Sequence, residues 1–356
     1  MISLGGTGGH IYPALALSSD LSKEVDISFI GGSLSTNRFF SKEDLNYTSI
    51  SCSSLSSKNP LKLIRSAFLL LKGVFQSIKT FRQKKPDLIV GFGSYYTLPP
   101  LIGAAFMRIP IILHEANSVP GRVNRLIAPF AKVTALHFPT TPILGKKEVV
   151  QMPIRFKENN SQETRENTLK ELGLETQKLT LLIFGGSQGA SKLNDLIALV
   201  IPKLNKELYQ VIHLTGKEEE TLKLKTIYEK AGVLSLVKTF DERMDLFLSV
   251  ADLAITRAGA STIAELIAFK VPSILIPYPF ATEAHQEKNA LFVSDVLQGA
   301  ITREEDSLKP DEFAQMIDDI FDTASHIIMK FNLEKVEPPS LTLSELIKRE
   351  LSCFTS

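Results

Sequence analysis

The chain has 356 residues, 44% hydrophobic and 22% charged, with a formal net charge of +1 at pH 7. That length exceeds one ordinary α/β core and suits two, and the composition is globular rather than disordered. A near-neutral chain is not an electrostatic binder of nucleic acid, and Cys52 and Cys353 show neither a disulfide framework nor metal-ligand spacing, as expected in a reducing compartment.

The sequence begins Met1-Ile2-Ser3-Leu4-Gly5 with no basic, apolar leader, so a cytoplasmic location is expected. Strands are predicted at residues 2–4, 26–30, 87–90, 111–114, 133–136, 179–184, 210–214, 252–256 and 272–277. Several are apolar throughout, as in parallel strands buried on both faces. The helical patterns between them suit crossover helices, so the expected fold class is α/β with doubly wound parallel sheets. No membrane-spanning helix is expected: Lys72 interrupts residues 68–75, and Pro99, Pro100, Arg108 and Pro110 interrupt residues 98–113.

A strand, glycine loop and helix start at Gly5-Gly6-Thr7-Gly8-Gly9-His10, and the same plan returns at Gly185-Gly186-Ser187-Gln188-Gly189-Ala190. Each opens a Rossmann-like domain, 1–155 and 156–340, with the polar segment 156–176 at the junction. After Pro338-Pro339-Ser340, a helical pattern over 341–351 is expected to pack back on the first domain, carrying residues 341–356 with it.

Such loops point backbone N–H groups at an anion, and the helix N-terminus favours negative charge. A dinucleotide is excluded, because no acid follows the second strand at Ser28-Phe29-Ile30-Gly31-Gly32-Ser33 and neither loop reads G-x-G-x-x-G. A third constellation runs from Arg257 through Gly259, Ala260, Ser261 and Thr262 to Glu265. Its amides suit a phosphate, and Glu265 suits a ribose diol or, alternatively, a capping box or the helix dipole. No D-x-D or His/Asp/Glu cluster offers a metal site, and Asp318-Asp319 reads as solvated surface. Neither a metal nor a cofactor is expected.

Between Leu45 and Pro86 there is no acidic residue, and Ile64, Phe68, Leu71 and Phe75 recur at helical spacing among Lys62, Arg65, Lys72, Lys79 and Arg82. This reads as a helix for an anionic membrane surface, or as a core helix with solvated lysines.

The two glycine loops, His114-Glu115-Ala116-Asn117, Arg257-Ala258-Gly259-Ala260 and His285-Gln286-Glu287-Lys288-Asn289-Ala290 resemble, in order and spacing to about residue 305, the motifs of the MurG family, the peptidoglycan N-acetylglucosaminyltransferases of glycosyltransferase family 28. The resemblance implies a GT-B fold, two Rossmann-like domains with a cleft between them. It implies inverting transfer of N-acetylglucosamine from UDP-N-acetylglucosamine to the C4 hydroxyl of undecaprenyl-linked lipid I, on the cytoplasmic face of the inner membrane. His10 is then the general base, with Glu115 the rival base or the group that orients it. Thr7, Gly8 and Gly9 face the ligand, Asn117 and Gln286 hold the N-acetylglucosamine, and Ser187 and Arg155 meet the diphosphate. Backbone groups at Asp241 and packing by Met244 receive the uracil. Gly93, Ser94 and Tyr95 form the acceptor loop. The sequence departs from the family where Ser94 replaces a glycine of G-x-G-G-Y-x-S-x-P, and where Gln151-Met152-Pro153-Ile154-Arg155 stands for G-N-P-V-R. The alternatives are a UDP-N-acetylglucosamine 2-epimerase of the same fold and a non-catalytic UDP-sugar-binding subunit that recruits a partner to the membrane.

Overall fold

A computed structural model describes residues 1–40, 45–53, 59–154, 165–186 and 190–355. The chain divides into two compact units, Met1–Arg155 with Pro338–Ser356, and Phe156–Glu337.

In the first unit the elements run β1 (Ile2–Ser3), α1 (Gly8–Leu21), β2 (Phe29–Gly32), β3 (Tyr47–Ile50), α2 (Pro60–Lys84), β4 (Ile89–Gly91), α3 (Leu98–Phe106), β5 (Ile111–Glu115), α4 (Arg122–Ile127), β6 (Val133–Leu136) and β7 (Lys147–Val149). The second unit holds α5 (Arg165–Glu171), β8 (Leu179–Phe184), α6 (Ser191–Val200), β9 (Tyr209–Leu214), α7 (Glu218–Ala231), β10 (Ser235–Lys238), α8 (Met244–Val250), β11 (Leu253–Thr256), α9 (Ala260–Ala268), β12 (Ser273–Leu275), α10 (His285–Leu291), β13 (Ala300–Thr302), α11 (Pro310–Asp322) and α12 (Ser325–Glu334). The chain then returns to the first unit as α13 (Leu343–Thr355).

Among the described residues each unit has one parallel sheet, ordered β3-β2-β1-β4-β5-β6-β7 and β10-β9-β8-β11-β12-β13. Both are doubly wound α/β sheets. The first has a core on each face: Ile11, Leu17, Leu346 and Ile347 from α1 and α13 on one side, Phe81, Leu101 and Ile127 from α2, α3 and α4 on the other. The predicted strands are the interior ones. The sequence reading missed β3, β7, β10 and β13, which occupy the sheet edges. An edge strand is not enclosed on every side, and Lys147-Glu148-Val149 of β7 carries no apolar run.

The final helix starts at Leu343 rather than 341, because Thr342 and Glu345 form a reciprocal capping box: Glu345 Oε2 accepts from Thr342 N at 2.8 Å, and Thr342 Oγ1 accepts from Glu345 N at 3.2 Å. Gln151 N donates to Leu341 O at 2.9 Å and its side chain to Pro339 O at 2.7 Å, which fastens the returning segment beside β7. Burial of Leu346 and Ile347 then contributes about 2 kcal/mol each.

Helix α2 is not a core helix. Asn59 Oδ1 caps it by accepting from Leu61 N at 3.0 Å, and its buried residues are Ser66, Gly73, Ser77, Thr80 and Phe81. Gly73 permits this close seat, since a Cβ there would lie 2.1 Å from Ser51 O. Ile64, Phe68, Leu71 and Phe75 point the other way and are 57% to 72% exposed. Asp318 also departs from the sequence reading: it is half-buried and accepts from Tyr209 Oη at 2.7 Å.

Candidate active site

In the first unit the sequence-selected residues gather at the carboxyl ends of β1, β4 and β5, where open α/β sheets receive ligands. Thr7 precedes α1, Gly8 and Gly9 open it, and His10 sits in its first turn. His10 Nδ1 lies 2.8 Å from the Phe92 carbonyl oxygen after β4. A carbonyl only accepts, so Nδ1 is the nitrogen that carries a proton there. Phe92 in turn packs on the His114 ring, with centroids 4.9 Å apart.

Glu115 does not orient His10 through any of these bonds. Its Oε1 accepts from Asn117 N at 3.0 Å and Asn117 Nδ2 at 3.3 Å, and its Oε2 accepts from Gly121 N and Asn124 Nδ2, both at 2.8 Å. Burial raises its pKa, and these four donors oppose the rise. The carboxyl therefore organises the loop from Asn117 to Asn124. Asn124, which the sequence reading missed, also donates to His114 O at 3.0 Å. It sits nine residues beyond Glu115 on the short α4, where no pattern marks it. His114 is buried, and that burial drops its pKa to about 3.

The acceptor-loop residues lie against the first glycine loop. A Cβ on Gly6 would meet Ser94 Oγ at 2.8 Å, and one on Gly93 would come 3.7 Å from His10 Cε1. Ser94 adopts φ 76° and ψ 150°, a conformation open to glycine, and Tyr95 begins the turn that follows. Met152 is buried.

In the second unit the described site residues follow β10, β11 and β12. Ser187 lies outside the described residues, as does Arg155 in the first unit. Helix α6 after the second glycine loop is held by Asn194, whose Nδ2 donates to Thr215 O at 2.9 Å and whose Oδ1 lies 3.1 Å from His213 Nε2. Gly259 is the N-cap of α9, and Ala260, Ser261 and Thr262 form its first turn. A glycine cap has no hydroxyl, and Glu265 stands beyond that turn, so the capping-box and dipole readings of Glu265 fall away. Ser261 Oγ is buried with no hydrogen-bond partner among the described residues.

Asp241 commits its carboxylate internally, to Lys238 Nζ at 2.5 Å and Arg243 N at 2.9 Å. Burial pushes its pKa up, but Lys238, the Arg243 side chain and the Arg243 amide outweigh it and leave the group more acidic than usual. Met244, buried, opens α8 beside it. Gln286 lies on α10, and its Oε1 accepts from Tyr278 N at 2.9 Å.

On α2, Lys72 and the neighbouring cations Lys62, Arg65, Lys79 and Arg82 are exposed around Ile64, Phe68, Leu71 and Phe75. A groove of about 320 Å³ is lined by Phe75, Ile78, Lys79, Arg82, Gln83 and Phe106. No helix among the described residues is long and apolar enough to cross a membrane.

Two parallel α/β units with helix N-termini at their carboxyl ends define the GT-B class of glycosyltransferases. Residues 1–136 match the glycosyltransferase family 28 N-terminal domain and residues 180–335 its C-terminal domain. The chain is 43% identical, over 98% of its length and 94% of the relative's, to the UDP-N-acetylglucosamine--N-acetylmuramyl-(pentapeptide) pyrophosphoryl-undecaprenol N-acetylglucosamine transferase of Protochlamydia amoebophila. It is 37% identical to the enzyme of the same name from Chlamydia felis, over 84% of this chain and 83% of that one. Among solved structures, Acinetobacter baumannii MurG superposes with a TM-score of 0.77 at 26% identity over 98% of both chains. A Polygonum tinctorium UDP-glucosyltransferase shares the fold, with a TM-score of 0.70 at 12% identity over 100% of this chain and 98% of that one. The chain belongs to the MurG family within glycosyltransferase family 28.

Proposed function

We propose that the chain transfers N-acetylglucosamine from UDP-N-acetylglucosamine to the C4 hydroxyl of undecaprenyl-pyrophosphoryl N-acetylmuramyl-pentapeptide, converting lipid I to lipid II in peptidoglycan synthesis. The observation that carries this reading is the 43% identity along 98% of the chain to a transferase named for those substrates.

In this reading His10 takes the C4 hydroxyl proton on Nε2 while the Phe92 carbonyl fixes the ring's tautomer. The C4 oxygen attacks the anomeric carbon from the face opposite UDP, and the bond to UDP breaks with its electron pair leaving on the diphosphate. The first turn of α9, Ala260 to Thr262, together with Ser187 and Arg155, meets that charge. Glu265 accepts from the ribose diol, Met244 and the Asp241 backbone receive uracil, and Asn117 and Gln286 hold the sugar. Thr7, Gly8 and Gly9 line the ligand at α1, and Gly93, Ser94 and Tyr95 meet the acceptor pyrophosphate. Glu115 acts through the loop it organises rather than as the base.

Transfer of radiolabelled sugar into butanol-extractable lipid tests the reaction, since a 2-epimerase leaves the label water-soluble. His10→Ala is expected to lower kcat by about 10²–10⁴-fold with an unchanged melting temperature. Glu115→Gln is expected to lower melting temperature and activity together, because one of its oxygens becomes a donor facing donors. Full turnover by His10→Ala overturns the base assignment.

The exposed apolar side of α2 with its ring of cations supports peripheral attachment to the anionic cytoplasmic leaflet of the inner membrane. Each cation near such a surface contributes about 1 kcal/mol. Phe68→Ser with Lys72→Glu is expected to release the protein from phosphatidylglycerol vesicles in sedimentation, and unchanged pelleting sinks the attachment.

A further inference from the structure

Glu305 lies outside every motif singled out in the sequence, yet it is the buried partner of the arginine that opens one of them. The side chains of Glu305 and Arg257 are 7% and 6% exposed and pair through Oε1 and Nη2. Glu305 Oε2 is also buried, and Lys192 Nζ on α6 stands 3.9 Å from it.

Arg257 passes this constraint on through its side chain, because the backbone leading into Gly259 and the first turn of α9 is held separately, Ala258 O accepting from Asn289 Nδ2 of α10 at 3.2 Å. Its Nη1 donates to Ile276 O at 3.1 Å and Pro277 O at 3.3 Å, and its guanidinium carbon lies 5.7 Å from the Tyr278 ring centroid. Tyr278 N then donates to Gln286 Oε1 at 2.9 Å. Because that oxygen accepts from the backbone, the Gln286 amide turns its N–H donors away from Tyr278. A buried ion pair adds little net stability over an apolar replacement, so its value here lies in fixing geometry.

We propose that Glu305 is a positioning residue for the donor sugar, holding Arg257 so that the 276–278 segment presents the Gln286 amide to an acceptor oxygen of the N-acetylglucosamine. This rests on the reading that Gln286 contacts that sugar. Loss of the Glu305 charge lets the Arg257 fork shift, and the fault reaches the ligand only through Gln286.

Calorimetric titration of the full chain with UDP-N-acetylglucosamine and with UDP, alongside steady-state turnover and thermal melting, tests it. In Glu305→Gln the UDP-N-acetylglucosamine Kd is expected to rise about 10-fold, with UDP affinity, acceptor KM and kcat within about twofold of wild type. Adding Glu305→Gln to Gln286→Ala is expected to cause no further loss, since coupled residues are not additive. Parallel weakening of UDP and UDP-N-acetylglucosamine, or losses that multiply, overturns the proposal. Should Glu305→Gln fail to fold, Arg257→Lys, which keeps the charge but loses the fork to Ile276 and Pro277, is held to the same expectations. If Gln286→Ala binds UDP-N-acetylglucosamine normally, the underlying reading of Gln286 falls and takes the proposal with it. If Gln286→Ala weakens binding and Glu305→Gln does not, only the role of Glu305 falls.

Discussion

The two glycine loops share a sequence plan but use their glycines for different reasons. In the first unit Gly5, Gly6 and Gly31 are packing devices. A Cβ on Gly5 would lie 2.6 Å from Tyr96 Cβ, one on Gly31 would lie 1.8 Å from Leu4 O, and Gly6 O accepts from Asn37 Nδ2 at 2.7 Å. In the second unit a Cβ on Gly186 would meet nothing within 4 Å among the described residues. Gly5 and Gly6 are closed in by their neighbours, while Gly186 has open space around its Cα among the described residues. A repeated motif thus marks a shared architecture without implying a shared task.

Paired substitutions break or sharpen this contrast. Gly5→Ala is expected to destabilise the first unit by about 3 kcal/mol through overpacking against Tyr96. Gly186→Ala, where φ is 82°, is expected to cost only about 1 kcal/mol while weakening UDP binding. Urea midpoints and calorimetry read both, and equal stability losses would erase the distinction.

The buried histidines extend the comparison to pH. His213 has a partner within 3.1 Å of each ring nitrogen, Tyr228 Oη and Asn194 Oδ1, whereas His114 Nε2 has none among the described residues. Burial lowers both pKa values from 6.5 to about 3. Below pH 6.5 the unfolded chain takes up protons that the folded chain refuses, so stability is full above that pH and falls towards pH 3. Between pH 6.5 and 5 each contributes a loss of about 2 kcal/mol. Thermal melts at both pH values are expected to show a lower midpoint in acid and a shallower fall in His213→Gln; pH-independent melting contradicts this.

A similarly small effect concerns the neighbour of the first loop. Ser94 holds a glycine conformation at φ 76°, so Ser94→Gly is expected to stabilise the protein by about 1 kcal/mol. A lower denaturation midpoint in that variant would show that the hydroxyl contributes more than the backbone strain costs.

How much of this was legible in the sequence follows from burial. Strands enclosed on both sides, such as Leu179–Phe184, need continuous apolar residues and announce themselves. Ser235–Lys238 and Ala300–Thr302 lie at sheet edges, carry short mixed patterns and were missed. The exposed apolar residues of α2 were visible, but the close seat provided by Gly73 and Ser77 was not, because small residues leave no periodic apolar signal. At the site, Gly259 through Thr262 could be read as a helix start. Local sequence does not reveal that Arg257 would be paired with Glu305, which is 48 residues away.

The return of residues 338–356 to the first unit has a consequence for synthesis. Leu343, Leu346 and Ile347 belong to the core beside β1 and α1, yet they leave the ribosome after the entire second unit. The second unit can close its sheet while the first still waits with an open face, so the half begun first is completed last. A chaperone that shields nascent apolar surface would therefore have its longest contact with the side of the first sheet that α13 finally covers.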